Sequence, residues 1–204
     1  MNTYIEKSFS YDEYLSLIDG LLADSKSTGP KQSESLVQFT RLNRQRMKRL
    51  NKTTELGEEI KNAAKANDRR QIWLVITEGW CGDAAQNIPV IEKIAAESDI
   101  IETRYILRDE NLELMDRFLT FGARSIPKLI ALDAETLTVL GTWGARPKPG
   151  QELFFELKEK GFEKPTIMEN LQRWYNEDQG RSVQIEFVEL LNGWSGRKTG
   201  VASV

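Results

Sequence analysis

The stretch Trp73-Leu74-Val75-Ile76-Thr77-Glu78-Gly79-Trp80-Cys81-Gly82 decides how the rest of the chain is read. The apolar run from Ile72 to Ile76 has the character of a buried strand and stops at Glu78-Gly79. The only cysteine in 204 residues follows, at what reads as the first turn of a helix. Amides of a first helical turn have no intrahelical acceptor and carry the positive end of the helix dipole. A sulfur placed there gains stability as the thiolate, its nucleophilic form, so Cys81 is the candidate reactive group. The competing reading is a buried, inert core thiol, a common fate of free cysteines.

Composition removes several classes of function. With 28 basic and 31 acidic residues the net charge is -3, so no global field draws the chain to nucleic acid or to anionic lipid. There is no histidine, which rules out Ser-His and Cys-His catalysis and ordinary histidine zinc sites. A single cysteine cannot form an internal disulfide and supplies too few soft ligands for a metal, so neither metal nor cofactor is expected. No run of 18 apolar residues occurs, and Met1 to Asp12 is polar. The expectation is a cytoplasmic chain with no membrane and no nucleic-acid partner.

Taken in order, the chain predicts a helix over Tyr11 to Ala23 and a breaker stretch from Ser25 to Pro30. A second helix is capped by Ser33, with Leu36, Val37, Phe39, Leu42, Met47 and Leu50 as its apolar positions. Six positive charges and no acid fall between Arg41 and Lys52, which reads either as a solvated face or as a patch for an anion. Further helices are predicted over Thr54 to Asn67, Cys81 to Glu97 (with Pro89 inside), Asp109 to Phe121 and Gln151 to Lys160. Asp109 is the expected N-cap of the third of these and Gly122 its left-handed C-cap. Strands are predicted over Asp99 to Leu107, Ser125 to Leu132 and Thr136 to Trp143, the last two as a hairpin. Helices over Pro165 to Asn176 and Ser182 to Leu191 complete the pattern, and Gly193 to Val204 reads as a frayed tail. The fold class is α/β, a mixed central sheet with helices on both faces. Its expected division is an N-terminal helical extension (1–68), a core (69–160) and a C-terminal helical extension (161–204).

Trp80-Cys81-Gly82 at the strand-helix junction, Pro89 in the next helix, Ile126-Pro127 before the next strand and Gly144-Ala145 after the hairpin together resemble the thioredoxin fold. More narrowly, Trp80-Cys81-Gly82-Asp83-Ala84-Ala85, Leu107 to Asn111, Ser125 to Leu129 and Gly141 to Gly144 resemble a group of bacterial thioredoxin-like proteins of poorly defined activity. The resemblance implies a cis Pro127 lying against Cys81, with Trp80, Gly82 and Asp83 completing the reactive motif. Three departures stand out. Ala84 occupies the position of the family's second cysteine, so no dithiol cycle is possible within one chain. Asp83 stands where thioredoxin usually has proline; its carboxylate opposes the thiolate, while an acid at a helix start is itself favourable, so the sign of the shift on Cys81 stays open. The buried acid of thioredoxin falls here on Val75, leaving Asp83, Glu78 or water to accept a proton.

Three functions compete. In a monothiol exchanger Cys81 attacks a disulfide-containing protein or small thiol and a second thiol releases the product. Ile126 and Pro127 would hold the substrate as an added strand beside Trp80, with Glu78, Ala84, Arg124 and Lys128 as neighbours. Arg108, Arg124, or Arg44 and Lys48, would bind the carboxylates of a small thiol. The alternative is a non-catalytic binding or chaperone-like module that uses the groove beside Pro127. A third is a peroxide-reactive sensor cysteine resolved by an outside thiol. Lys128 faces either the Cys81 sulfur or solvent, and Trp143 is expected to pack. The oligomeric state does not follow from the sequence.

Overall fold

The computed structural model describes residues 1–196; the end of the predicted tail, 197–204, lies outside the described residues. The chain forms α1 (Asn2–Glu6), α2 (Tyr11–Ala23), α3 (Glu34–Thr53), α4 (Glu58–Lys65), β1 (Gln71–Thr77), α5 (Gly82–Ala95), β2 (Ile101–Leu107), α6 (Leu112–Asp116), β3 (Lys128–Asp133), β4 (Val139–Gly144), α7 (Lys148–Glu159), α8 (Lys164–Asp178) and α9 (Arg181–Trp194). The strand order is β2-β1-β3-β4, with β1 and β2 parallel and the other two pairs antiparallel.

β1 is central. Trp73 and Val75 point to one face and Leu74 and Ile76 to the other, and all four are fully buried, so both faces of the sheet are covered. Trp73 packs edge-on against Phe187 and Trp194 of α9, with ring centroids 5.3 and 6.0 Å apart. Tyr14 of α2 stacks on Tyr105 of β2 at 5.3 Å. The added helices at both ends therefore belong to the same hydrophobic core as the sheet. A small second cluster, Leu157, Ile167 and Leu171, joins α7 to α8.

Local signals explain most boundaries. Ser10 and Glu13 form a reciprocal capping box that starts α2, and the Ser33 hydroxyl accepts from the Leu36 amide at the start of α3. α6 is shorter than its apolar spacing predicts and begins after Asn111 rather than Asp109, which is engaged elsewhere. Beyond it Phe121 and Gly122 both take positive φ, and Thr120 and Ala123 form an isolated bridge, so the chain turns instead of continuing as a helix. β3 begins only at Lys128, after the cis Ile126-Pro127 bond; the Gly144-Ala145 bond is cis as well.

The expected apolar stripe of α3 is also corrected. Phe39 and Leu42 are exposed, and the face turned inward carries Val37, Thr40, Asn43 and Met47. α3 packs on α5; Asn43 donates to the loop between β1 and α5, while the Thr40 hydroxyl bonds to Ser27 and to the Leu36 carbonyl.

Candidate functional site

The loop Glu78-Gly79-Trp80 is held from the N-terminal side. The segment after α2 brings Thr28 under it: the Thr28 hydroxyl donates to the Glu78 carboxylate and accepts from the Gly79 amide at 2.9 Å. The Asp109 amide donates to the other Glu78 oxygen at 2.8 Å, and Asn43 donates to the Gly79 carbonyl at 3.1 Å. Glu78 is fully buried, and burial pushes its carboxyl above the usual range against the pull of the Thr28 and Asp109 donors. This places Glu78 as a strut between the N-terminal segment, the cysteine loop and the end of β2, with no face open to a substrate.

A Thr28→Val chain leaves the Gly79 amide and a buried carboxylate oxygen without a partner. Its expected loss is about 3 kcal/mol in urea unfolding, with Thr28→Ser close to wild type. A valine variant within about 1 kcal/mol of wild type would show the strut to be dispensable.

Cys81 is the N-cap of α5 rather than a first-turn residue. Its sulfur accepts from the Ala84 amide at 3.4 Å and its thiol donates to the Ile126 carbonyl at 3.3 Å. Only 8 % of the residue is exposed, and the thiol pKa is pushed up to about 12. Burial is the first cause and the Asp83 carboxylate the second; the Ala84 amide and Arg146 pull the other way without prevailing. For the sign left open by sequence, burial and the Asp83 carboxylate favour the protonated thiol. The helix terminus does contribute its amide, but it acts on a sulfur removed from water.

Asp83 owes its charge to residues that no local motif foreshadows. Arg146, just past β4, forms a two-pronged pair with it, Nε to Oδ1 at 2.9 Å and Nη2 to Oδ2 at 2.6 Å. Tyr175 of α8 donates to Oδ1 at 2.9 Å, and Asn87 of α5 donates to the Tyr175 oxygen at 3.1 Å. Arg146 also lies over the Phe154 ring at 4.4 Å. Both charged side chains are about nine-tenths buried, and burial raises the Asp83 carboxyl above its ordinary value against the downward pull of Arg146 and Tyr175. The one available sequence signal is that Arg146 directly follows the Gly144-Ala145 motif; Tyr175 and Asn87 carried none.

The remaining predicted residues are distributed around this centre. Pro127 and Ile126 are buried at the start of β3, and Ala84 is buried behind the sulfur. Gly82 is half-buried beneath Arg46, whose guanidinium donates to Asn43 at 3.0 Å. Lys128 faces neither the sulfur through any hydrogen bond nor open solvent: it is 7 % exposed, its ammonium reaches Thr120 Oγ1 at 3.4 Å, and burial lowers its pKa. Trp143 packs and donates to Glu186 at 2.6 Å. Trp80 is half-buried beneath the Arg108 guanidinium at 4.9 Å. Arg124 pairs with Asp116 at 2.6 Å, and Arg44 with Asp19 at 2.8 Å. The basic run of α3 therefore divides: Arg44 is tied to α2, while Arg46 leans on the cysteine loop.

The fold order, the cis proline and the thiol at the strand-helix junction meet a direct comparison here: a thioredoxin family model (Thioredoxin_9) matches residues 29–160. The chain belongs to this thioredoxin family. Two solved structures share the fold. An HIV epitope scaffold superposes with a TM-score of 0.56 at 17 % identity, covering 91 % of this chain and 99 % of that one. A protein of unknown function from Pseudomonas aeruginosa gives 0.53 at 16 %, covering 91 % and 98 %. Among curated proteins none matches significantly. Among the described residues, no helix is long and apolar enough to cross a membrane.

Proposed function

We propose that this thioredoxin-like chain is a binding module whose single thiol is latent, and that it engages a polypeptide along the groove beside Pro127 rather than turning over disulfides. The observation that carries this reading is the state of Cys81: buried, donating to the Ile126 carbonyl and pushed up to about 12. An ordinary thiol of pKa 9.0 would hold about a thousandfold more thiolate at neutral pH. Exchange requires the thiolate, so the resting site is poorly suited to it. The segment leading into Pro127 and the helix facing it expose apolar surface instead, Leu119, Phe121 and Phe155, with the Phe121 and Phe155 rings in edge contact at 5.2 Å. Arg124 is exposed on the same approach, which ends at the buried Ile126, Pro127 and Lys128.

A monothiol exchange cycle remains the second reading, favoured by one contact: the Ala84 amide aimed at the sulfur, which would stabilise a thiolate once Ile126 was displaced. In that cycle the thiolate bonds to one sulfur of a disulfide, the other leaves as a thiolate, and an external thiol regenerates Cys81.

The test is intact mass after exposure to oxidised glutathione at neutral pH, paired with an insulin-reduction assay. The binding module predicts an adduct forming at least about a hundredfold more slowly than on a free cysteine, and no turnover. In parallel, titration with reduced, carboxymethylated α-lactalbumin should shift the amides of Leu119 to Ile126 and Phe155. Rapid adduct formation with release by dithiothreitol would replace this reading by the exchanger. Unshifted amides would remove the groove as the binding surface.

A further inference from the structure

A concavity lies beside Trp80, and Cys81 is not among the residues that line it. It has a volume of about 460 Å³ and is walled by Pro30, Leu36, Trp80 and Leu112, with Lys31, Arg108 and Arg124 as cations and Asp109 as the one acid. That size falls in the range of small-molecule sites, and the lining has their composition: apolar walls and a few polar groups able to fix orientation.

The polar groups are incompletely used. Arg108 directs Nε and Nη2 at Asp109 Oδ1, 2.9 and 2.8 Å away, and Nη1 at the Arg124 carbonyl at 3.1 Å. A guanidinium carries five N–H groups, so a hydrogen on each Nη stays uncommitted. Arg124 places Nε and Nη2 on Asp116 and leaves Nη1 without an acceptor among the described residues. Lys31 forms no ion pair among the described residues and is exposed. Of the three cations that line the cleft, Arg108 faces Asp109 and feels the buried Glu78 carboxylate, Arg124 is paired with Asp116, and Lys31 alone has no acidic partner among the described residues. The Arg108 guanidinium is held in place from two directions, by Asp109 and by the Trp80 ring beneath it. It is preorganised to receive an anion without losing further side-chain freedom.

We infer that this cleft binds a small organic monocarboxylate with a flat apolar body, its carboxylate among Lys31, Arg108 and Arg124 and its body against Trp80, Leu36 and Leu112. Lys31 supplies the charge, Arg108 the geometry and Trp80 the surface. Since Trp80 precedes Cys81 directly and Pro30 and Lys31 follow the Thr28 strut, the ligand would rest on the two segments that hold the cysteine loop. The site itself needs no thiol.

The test uses the full chain carrying Cys81→Ala, with 2-naphthoate as probe and 2-naphthamide as its uncharged counterpart. Binding is followed by titration calorimetry and by the Trp80 indole N–H in ¹H–¹⁵N spectra, assigned with Trp80→Phe. The expected result is saturable naphthoate binding that moves the Trp80 signal, with the amide at least about tenfold weaker. Lys31→Gln and Arg124→Gln, both at exposed positions, should each weaken the acid by about three- to tenfold and leave the amide unchanged. Acid and amide binding within about twofold of each other would overturn the inference, as would an unmoved Trp80 signal or no saturation by about 5 mM acid. Because probe and variant both lack a reactive sulfur, failure here leaves the reading of Cys81 intact, and failure there leaves this one intact.

Discussion

A Gly144→Ala chain is expected to lose at least about 4 kcal/mol of stability, enough to unfold most single domains of this size. Gly144 has φ +123°, a conformation in which a side chain is strained, and a methyl built on it would lie 2.1 Å from the Pro127 carbonyl oxygen. The Pro127 carbonyl carbon and the Lys128 Cα follow at 3.1 and 3.3 Å. All three are backbone atoms at the start of β3, so no side-chain rotation relieves the contact. Moving β3 away would break the Lys128–Gly144 register that closes the β3–β4 ladder. It would also withdraw the Ile126 carbonyl from Cys81, so any folded fraction should show a more reactive thiol. Gly122→Ala is the matched control: φ is +74° but nothing lies within 4 Å of its new methyl, so the expected cost is only about 1 kcal/mol. Thermal and urea unfolding of the two variants measure the difference. Equal losses would mean that conformational strain alone, and not the approach of Pro127, governs position 144.

The same approach explains what could be read in advance. β1 was legible because its buried apolar run is interrupted by nothing and ends in a loop motif; α2 was legible to the residue because Ser10 and Glu13 cap it. α6 was over-extended for a physical reason: Phe118 and Leu119 continue the helical spacing, but the positive φ of Phe121 is invisible to periodicity. The α3 stripe failed in the opposite sense. Thr40 and Asn43 fall in step with Val37 and Met47, and polar residues in a buried register are a sign of hydrogen-bonding work that an apolar count discards. At the site, Trp80 and Cys81 stood out at the strand-helix junction, whereas the place of Pro127 beside them came only from the resemblance. The partners that set the charge balance were not legible, since Arg146 and Tyr175 join Asp83 from 63 and 92 residues along the chain.

That charge balance yields the last expectation. With an unfolded-state pKa of 9.0 and a folded value of about 12, the folded protein holds the Cys81 proton more tightly than the unfolded chain does. The contribution to stability is therefore fully present below pH 9.0 and is lost as pH rises toward the folded value. Relative to Cys81→Ala, whose pH profile lacks this group, the wild-type chain should lose about 2 kcal/mol by about pH 10.5. The tyrosines buried nearby titrate in both chains and cancel in the comparison. Alkylation by iodoacetamide should tell the same story kinetically, its logarithm rising with unit slope through about pH 10 where a free thiol would have levelled off. Asp83→Asn removes the like charge and leaves Arg146 uncompensated beside the sulfur, so it should speed alkylation at neutral pH by about tenfold or more while costing stability. Arg146→Met has the opposite sign for the thiol, because the Asp83 carboxylate then acts unopposed. A rate that plateaus near pH 7 in the wild type, unchanged by either substitution, would mean that the thiol is governed by the α5 terminus alone, and the latent-thiol reading would fall with it.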